Sequence, residues 1–320
     1  MKNYPKLSII IPVYNMGDTL ERCVSFVLNQ SYKNYELLIV DDCSTDNTSE
    51  IIEKYVSNYP NTVIGLKTEK NSGPGHARNI GLNKAIGEYI SFIDADDWID
   101  SSLYSTVIPY LEQEKADIAI YGVKDEYETP YSSKTRYYYP FLNIIDNKYA
   151  LKLLSHLYNN DSYITPMVCP KVFKKELIEK NNLEFKANSY FEDDLFTFIL
   201  LSNECKILIV PDVYYHYYQN KYSITHTFSK KHIDDLVVLC KDLKDYLDIN
   251  MLWDKHQEEY FSYCQKCIRN TINTLFITEH SIQKQKEYIT YFLNIMQKNF
   301  DILEWINHID ISIIKKCFMR

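Results

Sequence analysis

The chain has little glycine and no long apolar segment. Of its 320 residues only 7 are glycine, whereas 29 are tyrosine, which is typical of an ordered globular protein rather than a disordered one. No stretch approaches the roughly 20 consecutive apolar residues needed to span a bilayer. The apolar run after residues 1–6 is too short for the hydrophobic region of a signal peptide. We therefore expect a cytoplasmic protein.

Positive charge is also scarce. The chain has 35 Lys and Arg against 43 Asp and Glu, a formal net charge of −8, which argues against a general affinity for nucleic acid. The 8 cysteines are scattered and are expected to be free thiols in that compartment. Cys264 and Cys267 form a CxxC pair on a helical pattern without a second pair, so neither a zinc site nor a redox site is expected there.

Three carboxylates follow one apolar segment. Residues 89–93 have the pattern of a buried strand, and Asp94, Asp96 and Asp97 come directly after it. Because alternate residues of an extended chain point the same way, Asp94 and Asp96 can converge on one point. Such oxygen ligands suit Mg²⁺ or Mn²⁺, which a phosphate group can bind as well. The alternative is a surface turn that caps a helix starting near Asp100.

Strands and helices alternate over roughly the first hundred residues, which predicts an α/β fold with a mostly parallel, doubly wound sheet. A break is expected at Pro12, and the helix that starts at Pro74 is expected to reach Ile86 and end at Gly87. Ligands of such sheets bind at the carboxyl ends of the strands. Polar residues that could equally be helix caps follow the four predicted strand ends: Asn15, Asp42, Asn71 and Asp94.

The pattern changes in the second half of the chain. Acidic residues start a predicted helix at 191–194, and His216 lies in an aromatic segment. From His232 onward long helical patterns occur without strands, so we place a domain boundary after residue 228 and expect an all-helical extension over 229–320. The apolar and basic residues 313–320 indicate either a helix end with cations favoured by the dipole or a peripheral membrane contact.

Five segments form a set: residues 9–15, 40–46, 71–81, 87–97 and 191–194. In this order they resemble the inverting family 2 glycosyltransferases of the GT-A fold, of the type that builds bacterial surface polysaccharides. The resemblance covers about residues 5–225, and the C-terminal third lies outside it. It implies a GT-A domain over residues 1–228, with a donor half at 1–122 and an acceptor half at 123–228.

The resemblance implies a UDP-sugar donor and assigns donor-binding positions: Pro12, Val13, Tyr14, Asn15, Asp42, Asn71, Arg78, Asp94 and Ala95. The first four would line the base pocket. Asp42 would accept a hydrogen bond from the uracil N–H, and Asp94 would hold the ribose hydroxyls. Arg78 would face the base or the diphosphate; the alternative is an arginine on an exposed helix face.

The resemblance also implies a metal site and a catalytic base. Asp96 would bind Mn²⁺ or Mg²⁺ that bridges the diphosphate, with Asp97 as a substitute if the register differs by one. His216 would be either a metal ligand or a packed residue of an aromatic strand. Asp193 would take the proton from an acceptor hydroxyl that attacks the anomeric carbon opposite UDP, with inversion. Nothing in the sequence places Lys171 in the site.

The predicted activity is metal-dependent transfer of a hexose or N-acetylhexosamine from a UDP-sugar to a hydroxyl of a growing surface glycan, such as a capsule, O-antigen or lipooligosaccharide. The acceptor would be a glycan or lipid-linked glycan. A nucleotidyltransferase is an alternative, although residues 12–15 supply no glycine- and lysine-rich phosphate loop. A non-catalytic nucleotide-sugar-binding module is another. The helices after residue 228 are expected to serve packing and homo-oligomer assembly, or to dock at the inner face of the cytoplasmic membrane.

Overall fold

The computed structural model describes residues 5–127, 134–136, 142–155, 164–219 and 228–300. The chain forms two compact units: residues 1–150 with 164–220, and residues 151–163 with 221–320. The first unit is α/β and the second is helical. The functional boundary at residue 228, and the division into donor and acceptor halves, stay predictions.

The strands of the α/β unit are β1 (Leu7–Val13), β2 (Tyr35–Asp41), β3 (Val63–Lys67), β4 (Tyr89–Phe92), β5 (Trp98–Ile99), β6 (Ile118–Glu126), β7 (Lys134–Arg136), β8 (Asn143–Asp146), β9 (Lys171–Lys174) and β10 (Lys206–Tyr218). Its helices are α1 (Leu20–Leu28), α2 (Thr48–Asn58), α3 (Pro74–Lys84), α4 (Leu103–Glu114), α6 (Lys175–Lys180) and α7 (Glu192–Ser202). Helix α5 (Asn147–Ser155) starts in this unit.

One sheet runs through the α/β unit in the order β3-β2-β1-β4-β9-β6-β10-β5, with β7 on β6 and β8 on β10. Strands β1 to β4 are mutually parallel. Beyond them the sheet is mixed, because β9 lies antiparallel between β4 and β6 while β6 and β10 are parallel. The predicted α/β class with a C-terminal helical region is confirmed.

Pro12 does not break β1, contrary to the prediction. The carbonyl of Ile10 accepts from the Ile93 N–H on the β4 side at 3.1 Å, and that of Val13 accepts from the Asp42 N–H on the β2 side at 2.8 Å. Because successive residues of a parallel strand bond to opposite sides, position 12 faces the β4 side, where pairing has ended at Ile10. The missing proline N–H therefore costs no sheet hydrogen bond.

Helix α3 begins at Pro74 as predicted, but it ends at Lys84 rather than near Ile86. Gly87 is required for another reason. A Cβ at this position would lie 2.6 Å from the Ser8 nitrogen and 2.7 Å from the Leu7 carbonyl carbon. The glycine thus lets the start of β4 approach the backbone of β1, as close backbone contacts in sheets demand.

The helical unit contains α8 (Lys230–Ile249), α9 (Trp253–Thr278) and α10 (Ile282–Asn299). The predicted apolar stripe of α8 is buried: Leu236, Leu239, Cys240, Leu243 and Leu247. Cys264 and Cys267 are buried on α9 and form no disulfide. No helix in the described ranges is long and apolar enough to cross a membrane. The end of the predicted helical extension, residues 301–320, and the apolar and basic segment 313–320 within it lie outside the described residues, and their roles stay predictions.

Candidate active site

Polar loops follow β1, β2, β3 and β4 at one edge of the sheet. These strands are parallel neighbours, so their carboxyl ends meet at the same edge. The loops contain, in turn, Asn15, Asp42, Asn71 and Asp94. The sequence prediction that these four positions share one edge is therefore confirmed by the topology.

The loop after β1 is joined to the loop after β2. Asn15 has a left-handed backbone with φ of 51°, which asparagine adopts more readily than most residues. Its Oδ1 accepts from the Thr45 N–H at 2.8 Å, and its own N–H donates to Ser44 Oγ at 2.9 Å. Tyr14 beside it is 40% exposed, whereas Val13 is buried. Tyr14 is the side chain of this segment that is free to contact a ligand.

Asp42 holds the loop after β3. Its buried carboxylate accepts from Thr68 Oγ1 at 2.9 Å, the Ser72 N–H at 3.0 Å and the Gly73 N–H at 2.7 Å. Asn71 Oδ1 also accepts from Gly73, at 3.2 Å. The Ser72 N–H also lies 3.2 Å from Oδ1, so each carboxylate oxygen of Asp42 makes two contacts with donors of the protein. Its role toward uracil stays a prediction, alongside this structural role.

Arg78 joins the loop after β4 to the acidic start of α7. Its Nη2 donates to Asp94 Oδ1 at 2.9 Å, and its Nη1 donates to Glu192 Oε1 at 2.9 Å and Asp193 Oδ1 at 3.0 Å. The arginine is 3% exposed, so the alternative of an exposed helix face is wrong. Burial would lower the pKa of Arg78, but the three carboxylates raise it well above its ordinary value. The side chain is charged at every working pH.

A glycine permits this arrangement. At Gly75, near the start of α3, an added Cβ would lie 2.7 Å from the Lys186 carbonyl oxygen and 3.3 Å from Glu192 Cβ. The start of α3 therefore packs directly against the segment that leads into α7. This close approach brings Arg78 within reach of carboxylates that lie more than 110 positions away in sequence.

The carboxylate of Asp96 accepts no hydrogen bond from another residue in the described ranges. Its backbone carbonyl accepts from Arg22 Nη2 at 2.5 Å. Burial, together with repulsion from Asp94, raises the pKa of Asp96 to about 6. The carboxylate thus lies in a site that disfavours its charge, which is the condition that a bound cation relieves.

Asp97 is not a substitute for Asp96, contrary to the sequence hypothesis. It is fully buried, with Oδ2 accepting from the Tyr215 hydroxyl at 2.5 Å and Oδ1 from the Tyr218 N–H at 2.8 Å. Burial and the neighbouring acids raise its pKa well above the usual range. Asp97 anchors the loop to β10, and Ala95 beside it is buried as well.

His216 is not placed as a metal ligand. Its Nδ1 lies 2.8 Å from Glu126 Oε1, its Nε2 lies 3.2 Å from Asp100 Oδ1, and its ring stacks on Trp98 with centroids 5.3 Å apart. Both ring nitrogens thus contact carboxylates of the protein, and a metal would have to displace one of these contacts. Of the two alternatives for His216, these contacts favour a packed residue of an aromatic strand. No group of three or more His, Cys, Asp or Glu side chains suited to a metal occurs in the described ranges.

Asp193 lies at the start of α7, between two donors. Its Oδ1 accepts from Arg78, and its Oδ2 accepts from the Val168 N–H at 3.2 Å. Burial raises the pKa of Asp193, although Arg78 opposes the shift. Burial and the charge of Asp193 also raise the pKa of Glu192, to about 7. The side chain of Asp193 remains 20% exposed, so an acceptor proton can reach it.

Two basic residues of the site escape the sequence prediction. The guanidinium carbon of Arg22 lies 4.5 Å from the ring centroid of Trp98 and 4.8 Å from that of Tyr218, a cation–π sandwich beside the Asp96 loop. Lys171 is 1% exposed, and burial lowers its pKa to about 7. The only sequence signal for Lys171 is a lysine inside the apolar segment Pro170–Phe173. No feature of the sequence marks Arg22 as a residue of the site, because an arginine on an amphipathic helix is common.

Comparison with known proteins agrees with this site. A model of glycosyl transferase family 2 matches residues 8–175, more than half of the chain. Glycosyltransferase GlyG of Streptococcus pneumoniae is 30% identical, over 81% of this chain and 93% of its own. The poly(ribitol-phosphate) β-N-acetylglucosaminyltransferase TarP of Staphylococcus aureus is 34% identical, over 70% of this chain and 66% of its own.

A solved structure shows the same fold. Residues 1–349 of S. aureus TarS, in complex with UDP-GlcNAc, match with a TM-score of 0.72 at 20% identity, over 92% of this chain and 82% of that one. The family resemblance inferred from five short segments is thereby confirmed. The chain belongs to glycosyl transferase family 2 and is an enzyme that transfers a sugar.

Proposed function

We propose that the enzyme transfers a hexose or N-acetylhexosamine, with inversion, from a UDP-sugar to a hydroxyl of a growing bacterial surface glycan. The proposal rests on the Arg78 cluster. The guanidinium of Arg78 bonds both to Asp94, in the loop after β4, and to the partly exposed Asp193. TarP is named for N-acetylglucosamine transfer to poly(ribitol-phosphate), and TarS binds UDP-GlcNAc. Both names support a UDP-sugar donor and a cell-surface acceptor.

The donor would lie across the loops at the carboxyl edge. Tyr14 is exposed and offers a ring face for a nucleobase. Asp42 would accept an imide N–H in addition to the donors that fix the loop behind it. Asp94 uses Oδ1 for Arg78, which leaves Oδ2 to accept from ribose hydroxyls.

A divalent cation fits the carboxylate oxygens of this site. Asp96 carries a carboxylate whose charge is disfavoured by burial and by Asp94, and Mg²⁺ is commonly bound by one or two carboxylates together with substrate phosphates. We propose that Asp96 holds Mn²⁺ or Mg²⁺. A bound ion of this kind supplies Lewis-acid stabilisation of the negative charge on a departing diphosphate. His216 is left out of the set for the reasons given above.

Asp193 would act as the base. It takes the proton of the acceptor hydroxyl as that oxygen forms the bond to the anomeric carbon and the bond to the UDP oxygen breaks. Because burial raises the pKa of Asp193, the carboxylate accepts a proton more readily than an exposed aspartate. It must be ionised to act, so transfer should rise with pH through this pKa. Arg78 keeps the carboxylate oriented by a charge-assisted hydrogen bond.

The two alternatives are less well supported. A nucleotidyltransferase would need cationic side chains or backbone N–H groups facing the phosphates after β1, whereas the loop after β1 presents Tyr14 and Asn15. A non-catalytic module has no use for a buried acid with a raised pKa at Asp193, since such groups are costly to keep. The match to family 2 favours sugar transfer over both.

A UDP-release screen tests the proposal. UDP-glucose, UDP-galactose and their N-acetylated forms are each incubated with Mn²⁺, with and without EDTA. We expect one donor to be consumed only with the metal, and Asp193→Asn to lower kcat by about 10²- to 10⁴-fold while UDP binding by titration calorimetry is retained. Asp212→Asn, an exposed acid of β10, is the matched control and should behave as wild type.

Two results would contradict the assignments. Asp96→Ala and Asp193→Asn with full activity would remove both residues from their proposed roles. Absence of UDP binding by the wild-type enzyme, together with no release from any donor, would argue against a UDP-sugar altogether. Binding without release would instead direct the search to the acceptor, supplied as lipid-linked glycan or as surface polymer.

A further inference from the structure

Lys171 is a buried cation in the centre of the sheet. It begins β9 and pairs with Ile120 of β6, and its side chain is 1% exposed. Burying an ammonium group costs several kcal/mol unless it is well paired, and methionine would fill a similar volume without that cost. A lysine at this position therefore indicates a specific use of its hydrogen bonds.

The ammonium group fixes one short segment, residues 164–170. Its Nζ donates to the Thr165 carbonyl at 2.8 Å and also to the Met167 carbonyl. Between these two bonds the Pro166 carbonyl accepts from Thr197 Oγ1 of α7 at 2.6 Å. Three consecutive carbonyls are thus tied to β9 and α7, so the backbone of the segment has little freedom.

The next N–H along the chain is the one that binds Asp193. Val168 N donates to Asp193 Oδ2 at 3.2 Å, while Oδ1 is held by Arg78. Each carboxylate oxygen of Asp193 therefore accepts one hydrogen bond, Oδ1 from a guanidinium and Oδ2 from a backbone N–H. Only the bond from the Val168 N–H depends on the segment that Lys171 fixes, because the carbonyl of Met167, the residue before Val168, accepts from Lys171.

We propose that Lys171 is a positioning residue of the transfer reaction: by clamping the Thr165 and Met167 carbonyls it presents the Val168 N–H that orients the Asp193 carboxylate. This inference rests on the proposed role of Asp193 as base. It assigns to Lys171 no contact with donor, metal or acceptor. Its loss should change the rate of the chemical step rather than the binding of the donor.

The test uses the full-length enzyme with Lys171→Met, which keeps the volume and removes the three N–H donors. With the UDP-sugar selected by the release screen, kcat should fall by about 10- to 100-fold, the penalty for a slightly misplaced catalytic group. The KM for that donor and the calorimetric affinity for UDP should stay within about twofold of wild type. The matched control is Lys174→Met, on the same strand, whose ammonium pairs with Glu176 at 2.8 Å; it should leave kcat unchanged.

A second measurement is independent of activity. In Lys171→Met, hydrogen exchange at the Val168 amide should become at least about tenfold faster, while exchange at the Gly73 amide, which binds Asp42, should not change. A kcat within twofold of wild type, or unchanged exchange at Val168, would overturn the inference. If the wild-type enzyme neither binds UDP nor releases it from any donor, the proposed function fails, and the exchange measurement alone then tests whether Lys171 holds the Val168 N–H in place.

A third variant covers the case in which Lys171→Met does not fold. Thr197→Val removes the bond to the Pro166 carbonyl with almost no change in volume. It should accelerate Val168 exchange and lower kcat in the same direction, and by less, because the two Lys171 bonds remain. Unchanged exchange and unchanged kcat in this variant would show that hydrogen bonds to the carbonyls of residues 165–167 do not control the Val168 N–H, and would refute the positioning role.

Discussion

Glu192→Gln should make the α/β unit more stable at pH 8 than the wild-type unit. Glu192 is buried beside Asp193, and the two acids share the Nη1 group of Arg78. Burial and the charge of Asp193 raise the pKa of Glu192 from 4.5 to about 7. The folded protein therefore binds a proton at this position more tightly than the unfolded chain does.

The sign follows from proton linkage. Between pH 4.5 and about 7 the folded state holds more protons than the unfolded state, so the free energy of unfolding falls as the pH rises through this window. Each pH unit is worth about 1.4 kcal/mol, so the full interval between 4.5 and about 7 corresponds to about 3 kcal/mol lost above pH 7. Glutamine mimics the protonated acid at every pH and avoids this loss.

The assay is urea unfolding at pH 5 and pH 8, followed by fluorescence in a background where Trp98 is the one remaining tryptophan, because Trp98 lies in the α/β unit. We expect the two proteins to differ little at pH 5, and the variant to exceed wild type by about 1 to 3 kcal/mol at pH 8. Glu176→Gln is the control: Lys174 lowers the pKa of Glu176, so neutralising it should give no gain at pH 8.

A variant that is no more stable than wild type at pH 8 would refute this reasoning. So would a gain of equal size at both pH values, since that result would indicate better packing rather than relief of charge. In either case the Arg78 attraction would have to outweigh the cost of burying Glu192, and its pKa would lie near the ordinary value.

Three further changes test contacts of the same unit by urea unfolding. Arg78→Met leaves its buried acids without a counter-ion and should cost about 3 to 5 kcal/mol at pH 8; a loss below 1 kcal/mol would contradict the ion-pair cluster. Tyr215→Phe removes the hydroxyl that donates to Asp97 and should cost about 1 to 3 kcal/mol, whereas no loss would mean that water replaces it. Gly87→Ala forces a Cβ against the backbone at Ser8 and should cost about 1 to 3 kcal/mol; an unchanged midpoint would show that β4 can move.

The sequence predicted the parts of the fold that local patterns control. The predicted alternation of strands and helices over the first hundred residues is observed, because buried strands and amphipathic helices give a strong periodic signal. The convergence of Asn15, Asp42, Asn71 and Asp94 followed from topology alone. The antiparallel insertion of β9 was not predicted, since the segment that forms it is short and its partners lie about 80 and 50 positions earlier.

The partners of the site residues were harder to predict than their positions. Arg78 was placed on the base, the diphosphate or an exposed face, whereas it bonds to acids that lie 16 to 115 positions away. Asp97 and His216 have the residue types of metal ligands, but each has protein partners. Those of Asp97 lie on β10, whereas His216 contacts Glu126 of β6 and Asp100. Lys171 is the extreme case, because its function depends entirely on which carbonyls happen to face it.

The site also explains why its acids remain in an unfavourable setting. The pKa values of Asp96, Asp193 and Glu192 are all raised by burial, so each of these acids makes the folded state less stable as the pH approaches neutrality. A base must be ionised to accept a proton, so the same rise in pH favours the reaction. Arg78 bonds to Glu192 and Asp193 and offsets part of this cost. At Asp96 a bound cation would offset it, and the raised pKa of Asp193 would make this residue a stronger base than an exposed aspartate. Stability and activity of this unit should therefore change in opposite directions as the pH rises through the raised pKa values of these acids.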